Sequence, residues 1–287
     1  MTMVSRPSRA ILNFAYRCAM NCEWCYVPFI APSPKRVDIL KVVERIAALG
    51  FSNITFGGGD PFQYKFMPEL LRLSKTLGLF VHVDTHAITL EESDANFTLL
   101  SEFVDLIGLP LDGSSAAVHN RMRSADAHYE LIQSRIRWLS NISQKIKINT
   151  IASKVNYRDL IHIGEFIESF RPIRWSIYQY WPIGPRLDAA NVHEIPEPVF
   201  LAECQRISSL LSLNGTKIEI NARDCRRDTY PIIHHDGSVF VHSPAPENQF
   251  IYLGSIFSED TMSKILISCN PERSIATSRY TKIAPVV

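Results

Sequence analysis

Short apolar runs alternate with longer amphipathic ones along most of the chain, a pattern that predicts a parallel sheet with helical crossovers. Strands are expected at Ala10–Phe14, Asn53–Phe56, Phe80–Asp84, Leu106–Leu111, Ile146–Ile151 and Trp175–Tyr180. Helices are expected near 36–49, 66–77, 91–102, 126–141, 157–169 and 197–213. Val37, Leu40, Val43, Ile46, Ala47 and Leu49 recur as one core-facing helical stripe, closed by Gly50 as a C-terminal cap. Six strand–helix pairs suggest an α/β fold, a partial (β/α)6 TIM-type barrel with active-site residues at the carboxyl ends of its strands. Later residues read as strand pieces, Lys217–Asn221 and a hairpin turning at Asp236-Gly237. The expected organisation is a barrel over 1–215 and a C-terminal extension over 216–287 that covers the open side.

Composition narrows the function classes. The chain has 287 residues, 46% of them hydrophobic, with 30 basic and 29 acidic side chains and a formal charge of +1. A balanced charge without a long single-sign run offers no obvious partner surface for duplex nucleic acid or an anionic membrane. No apolar stretch approaches the length of a membrane span, and Met1–Ala10 carries no signal-peptide h-region. A reducing cytoplasm is expected, where free thiols persist.

Three of the six cysteines stand close together, Cys18, Cys22 and Cys25, as C-x3-C-x2-C. Cysteine thiolates hold iron–sulfur clusters, and three local ligands leave one iron of a [4Fe-4S] cubane open to bind another molecule. Structural zinc normally takes four ligands, yet Cys204, Cys225 and Cys269 are isolated. A disulfide framework belongs to short secreted chains. Scattered histidines, His82, His86, His234, His235 and His242, lack metal-ligand spacing and read as structural or surface groups.

With Trp24 before the last cysteine and Tyr26 after it, the motif resembles that of the radical S-adenosylmethionine (SAM) superfamily. The resemblance implies Cys18, Cys22 and Cys25 as cluster ligands and SAM chelated at the open iron. Its reductive cleavage gives a 5′-deoxyadenosyl radical that abstracts hydrogen from a substrate, with an electron donor such as flavodoxin or ferredoxin. Tyr26 joins the expected cofactor contacts. Gly57-Gly58-Gly59-Asp60-Pro61 follows the second strand, where glycines permit close backbone approach. It resembles the family's Gly-Gly-Glu-Pro motif for the SAM amino group, with Gly58, Gly59 and Asp60 in place. Asp60 stands where the family has Glu, a reach shorter by roughly 1.5 Å. Asp112-Gly113 ends the fourth strand and is followed by His119, Arg121 and Arg123. The resemblance implies an arginine for the SAM carboxylate, whose two oxygens fit a guanidinium fork; Arg123 is favoured over Arg121, and Asp112 is a substrate candidate.

Lys147-Ile148-Asn149-Thr150-Ile151 and Ile173-Arg174-Trp175-Ser176-Ile177-Tyr178-Gln179 are similar to stretches of viperin-like enzymes, which dehydrate nucleoside triphosphates. That likeness implies Asn149 and Gln179 at the cofactor and Lys147 and Arg174 at the substrate. Those enzymes have lysine where Ser176 stands. Triphosphate recognition needs several converging cations, and Arg186, Arg223, Arg226 and Arg227 are further candidates, although Arg226 and Arg227 are expected to pair with Asp224 and Asp228 on the surface. Two other readings stay open. A radical epimerase of an aminosugar or peptide would need a thiol hydrogen donor, and Cys225 lies at a plausible site edge. A cluster-binding sensor would need no turnover.

Overall fold

The computed structural model describes residues 8–27, 34–213, 215–245 and 249–270. In chain order the first half runs β1 (Arg9–Ala15), α1 (Arg36–Ala48), β2 (Asn53–Gly58), α2 (Met67–Thr76), β3 (Phe80–Asp84), α3 (Asp94–Phe103), β4 (Leu106–Pro110), α4 (Ala116–Arg123) and α5 (His128–Asn141). The second half runs β5 (Ile146–Ala152), α6 (Leu160–Glu168), β6 (Arg174–Gln179), α7 (Ala190–His193), α8 (Glu197–Leu210), β7 (Lys217–Asn221), β8 (Ile232–His234), β9 (Ser238–His242), β10 (Phe250–Ser255) and α9 (Thr261–Ser268). All six expected strands and six expected helices are present within a few residues of their ends. Gly50 takes the left-handed conformation, φ +86°, just after α1, as its capping role requires.

The chain forms two compact units. One takes the described residues up to Arg17, then those up to Val83, and those from Asp224 onward; the other takes the Cys18 loop and Asp84–Arg223. In the first unit, β1 pairs in parallel with β2 and with β8, and β2 pairs in parallel with β3. The β8–β9 and β9–β10 pairs are antiparallel, and β8 to β9 is the expected Asp236-Gly237 hairpin. The C-terminal strands thus join the sheet beside β1. In the second unit β4, β5, β6 and β7 are successive parallel neighbours. The division at Arg223/Asp224 differs from a boundary at 215 because β7 pairs with β6 and belongs to the second unit.

Burial follows from this layering. Strand β4, Leu106–Pro110, is buried throughout, as expected of a strand covered on both faces. On β6, Trp175 and Ile177 are fully buried, and Trp175 packs where α6 presents Gly164. A Cβ on Gly164 would overlap Leu211 and press on the indole, so this glycine sets the helix-to-sheet distance. Each such large apolar side chain contributes about 1.5–3 kcal/mol on burial. On β6 the alternate residues Arg174, Ser176 and Tyr178 point to the opposite face, and there the strand is polar.

Candidate active site

The cysteine loop leaves β1 and is fastened at several points within the second unit. The Cys25 N–H donates to the Cys22 carbonyl at 3.2 Å, and the Met20 N–H to Cys18 Sγ at 3.4 Å. Trp24 Nε1 donates to the Met122 carbonyl at the end of α4, 2.8 Å away. Arg186 reaches back to the Cys22 carbonyl at 3.0 Å and to Asn21 Oδ1. His193 pairs with Glu23 at 3.2 Å. Gly184, at φ +84°, lies so close to the Tyr26 backbone that a Cβ would overlap it. Tyr26 itself is 37% exposed.

The donor set, three free thiols in one short loop, fits a cubane that takes one thiolate on each of three irons. All six cysteines are free thiols. Among the described residues no three His, Cys, Asp or Glu side chains converge as ligands of one metal would. Three thiolates that each bind a different iron need no common centre. Burial pushes the Cys22 thiol up and that of Cys25 to about 11, so both are protonated near neutrality until a metal takes the thiolate and releases the proton.

Arg123 ends α4 against this loop. Its guanidinium lies over the Trp24 ring at 4.7 Å and its carbonyl accepts from Cys22 Sγ at 3.4 Å. Nε pairs with Asp112 Oδ2, while Asp112 Oδ1 accepts from the Ile151 N–H at 2.7 Å. Asp112 is fully buried; it holds an arginine and a strand rather than standing at a cavity mouth. Burial pushes its carboxyl up, against the opposing pull of Arg123 and the Ile151 amide.

A histidine relay supports that aspartate. The Asp112 N–H donates to His119 Nδ1 at 3.1 Å, His119 Nε2 lies 2.8 Å from His128 Nδ1, and His128 Nε2 lies 2.9 Å from the His86 carbonyl. An amide only donates and a carbonyl only accepts, so both protons are assigned: His119 and His128 each carry hydrogen on Nε2. Burial, then Arg123 and His128, press the His119 pKa down to about 2, consistent with a neutral relay.

The polar face of β5–β7 collects the remaining groups. Lys147 Nζ donates to the Tyr178 hydroxyl at 2.8 Å, Arg174 pairs with Glu219 on β7, and Ser176 Oγ donates to the other Glu219 oxygen at 2.7 Å. Lys147, Arg174, Ser176 and Glu219 are all buried. Asn149 Nδ2 donates to Asp84 Oδ1 at 2.7 Å. This pair crosses β4 at Gly108, where a Cβ would overlap the Asp84 carboxylate. Gln179 is fully buried, donating to the Ile195 carbonyl at 3.0 Å and accepting from the Arg223 N–H at 3.1 Å.

Other sequence candidates take structural partners. Arg223 pairs with Glu194 at 2.5 Å and Arg227 with Asp224 at 3.0 Å. Arg227 also donates to the Ser243 carbonyl and is buried, so its expected surface pair is half internal. Cys225 is exposed on the turn Asp224–Arg226. In the first unit, Gly58 at φ +108° and Gly59 lie against the backbone of Ala15 and Arg17, and a Cβ on either would overlap it. The Gly59 and Asp60 amides donate to the Ala15 and Arg17 carbonyls, at 2.5 and 2.9 Å, rather than standing open for a ligand. Asp60 is fully buried, and its carboxylate accepts from the Phe62 N–H at 2.8 Å.

Glu219, Asp84, Gly108 and His128 were not singled out from sequence. The available signal was the alternation Lys-Ile-Asn-Thr-Ile, Arg-Trp-Ser-Ile-Tyr and Lys-Ile-Glu-Ile-Asn, since parallel strands covered on both faces run continuously apolar.

Comparison with known proteins agrees with this geometry. The family model of the radical SAM superfamily matches residues 12–167. A protein of Lacinutrix mariniflava named S-adenosylmethionine-dependent nucleotide dehydratase is 30% identical over 226 residues, which are 70% of this chain and 45% of that protein. A Flammeovirga pacifica protein of the same name is 27% identical over 58% of this chain and 60% of its own length. The chain thus spans about half the length of these relatives. The solved structure of native anSMEcpe with bound AdoMet superposes with a TM-score of 0.68 at 17% identity, over 92% of this chain and 81% of that one. Streptococcus suis SuiB bound to S-adenosylmethionine also gives 0.68, at 12% identity, over 90% and 65%. At such identities the structures show the shared fold, that of a partial TIM barrel. The chain belongs to the radical SAM superfamily, enzymes that work with a [4Fe-4S] cluster and S-adenosylmethionine.

Proposed function

We propose that the chain uses this chemistry to take a hydrogen atom from a small polar, nucleotide-related substrate held on the inner face of β5–β7. When bound, the cluster supplies one electron that divides SAM into methionine and a 5′-deoxyadenosyl radical. Cys18, Cys22 and Cys25 hold three irons; Arg186, Trp24 and Glu23 keep their loop in place. Arg123 serves the SAM carboxylate, with Asp112 fixing its direction. Gly58, Gly59 and Asp60 belong to the SAM amino end. Since the Gly59 and Asp60 amides are already donated, the positively charged amino group is met by acceptors there. Tyr26 and Gln179 complete the proposed cofactor contacts, Gln179 chiefly by bracing the backbone at Ile195 and Arg223, while Asn149, expected at the cofactor, is assigned instead to the substrate face beside Ser176.

The observation that carries the substrate reading is the buried polar face. Lys147, Arg174, Ser176 and Glu219 are buried, and Asn149 half-buried, at positions that a structural strand would fill with apolar side chains. Hydrogen donation from Cys225, as an epimerase requires, is less well supported, because a donor to a carbon radical needs shielding from solvent and this thiol is exposed. A flavodoxin or ferredoxin in a reducing cytoplasm is the proposed electron source. No helix among the described residues is long and apolar enough to cross a membrane. The test is anaerobic reconstitution, reduction with dithionite and chromatography for 5′-deoxyadenosine with nucleosides, nucleotides and aminosugars. Release above the substrate-free background with a nucleoside or nucleotide supports the reading. Release stimulated only by aminosugars refutes it.

A further inference from the structure

The charges on the inner face of β5–β7 are matched in sign. Lys147 and Arg174 bring two positive charges, Glu219 and Asp84 two negative ones. Glu219 is 3% exposed and uses both oxygens, one toward Arg174 and one toward Ser176. Its register partner on β6 is Ser176, so the carboxylate projects into the row that also carries Asn149 on β5. A polyphosphate placed here would meet two cations already balanced by two carboxylates, and so no net positive charge to offset its own.

A second observation points the same way. Asn149 Nδ2 donates to Asp84, which fixes the amide orientation and leaves Oδ1 as an acceptor. That oxygen is buried without a hydrogen-bond partner. An orphaned acceptor calls for a donor such as a hydroxyl or amino group. An ionised phosphate oxygen only accepts and would leave it unsatisfied.

We propose that Glu219 sets the substrate class of this site: a hydroxyl-bearing, uncharged ring such as a nucleoside is taken, and nucleoside triphosphates are excluded. This rests on the substrate lying on the inner face, and it deepens that reading by removing the polyphosphate. Glu219 and Asn149 Oδ1 accept hydrogen bonds from the ring hydroxyls, while Ser176 and Tyr178 define the row's polar edge.

The test is binding, independent of turnover. The reconstituted protein with SAM is titrated by calorimetry with ATP, GTP, CTP and UTP separately, beside Glu219→Gln and Ser176→Lys. Each substitution raises the local charge by one, and Ser176→Lys keeps the carboxylate, so a folding failure of Glu219→Gln leaves a second reading. The expected result is no saturable triphosphate binding to the unaltered protein and at least a tenfold gain in affinity for one triphosphate in a folded variant. Saturable triphosphate binding by the unaltered protein, or no gain in any folded variant, overturns the proposal. Failure of the radical reading would appear separately, as absent 5′-deoxyadenosine with these binding ratios unchanged.

Discussion

Asp112 and Arg123 form a buried ion pair in which the carboxylate's second oxygen is held by the Ile151 amide and the guanidinium rests on Trp24. The arginine proposed for the SAM carboxylate is thereby fixed to β5 and to the cysteine loop at once. Asp112→Asn removes the charge but not the shape, leaving an uncompensated buried guanidinium. The expected loss is about 3–5 kcal/mol in unfolding free energy, read by urea denaturation, together with weaker SAM binding by calorimetry.

The His119 relay carries a pH signature. Its pKa in the folded chain, about 2, lies below the ordinary 6.5, so the unfolded chain binds the extra proton. Stability from this group is full above pH 6.5 and is lost as pH falls from there toward 2. His242, pressed by burial to about 3, acts in the same direction. Between pH 6 and 4 each contributes a slope approaching 1.4 kcal/mol per pH unit. His119→Leu should flatten the profile by up to one proton and cost about 1–3 kcal/mol at pH 7, because the Asp112 amide loses its acceptor. An unchanged slope would remove the relay from the account.

Much of this frame was legible in the sequence. Strands covered on both faces advertise themselves as apolar runs, and the cysteine spacing is local, so β1–β6 and the cysteine loop after β1 followed from neighbours in the chain. Helix α4 did not, because Ala-Ala-Val-His-Asn-Arg-Met-Arg buries only His119 and Met122 and reads as a loop. Glu219 and Asp84 were missed because their meaning lies in register between strands: Glu219 matters through Ser176 on β6, and Asp84 through Asn149 across Gly108. The role of Asp60 as a turn cap likewise depends on the close seating of Gly59 against Arg17.

Gly108→Ala tests that crossing. Its Cβ would collide with the Asp84 carboxylate, and overpacking of this kind costs about 1–3 kcal/mol. The expected result is a lower melting temperature and weaker substrate binding, with cluster content unchanged. Gly78→Ala, at φ +75° with no atom within 4 Å of the new Cβ, adds backbone strain without a side-chain collision; it should lower the melting temperature but not alter binding.

Arg186→Met tests the loop clamp. Loss of its contacts to the Cys22 carbonyl and Asn21 should leave the fold intact by circular dichroism while lowering the iron and sulfide retained after reconstitution. Retention equal to that of the unaltered protein would show that Trp24 and Glu23 suffice.

The most direct measurement is electron paramagnetic resonance of the anaerobically reconstituted, dithionite-reduced protein with and without SAM. The expected spectrum is that of one reduced [4Fe-4S] cluster whose signal shifts when SAM is added and is lost in Cys18→Ala, Cys22→Ala and Cys25→Ala. A bound zinc in place of iron, or a cubane whose signal ignores SAM, would contradict an open iron held by three cysteines.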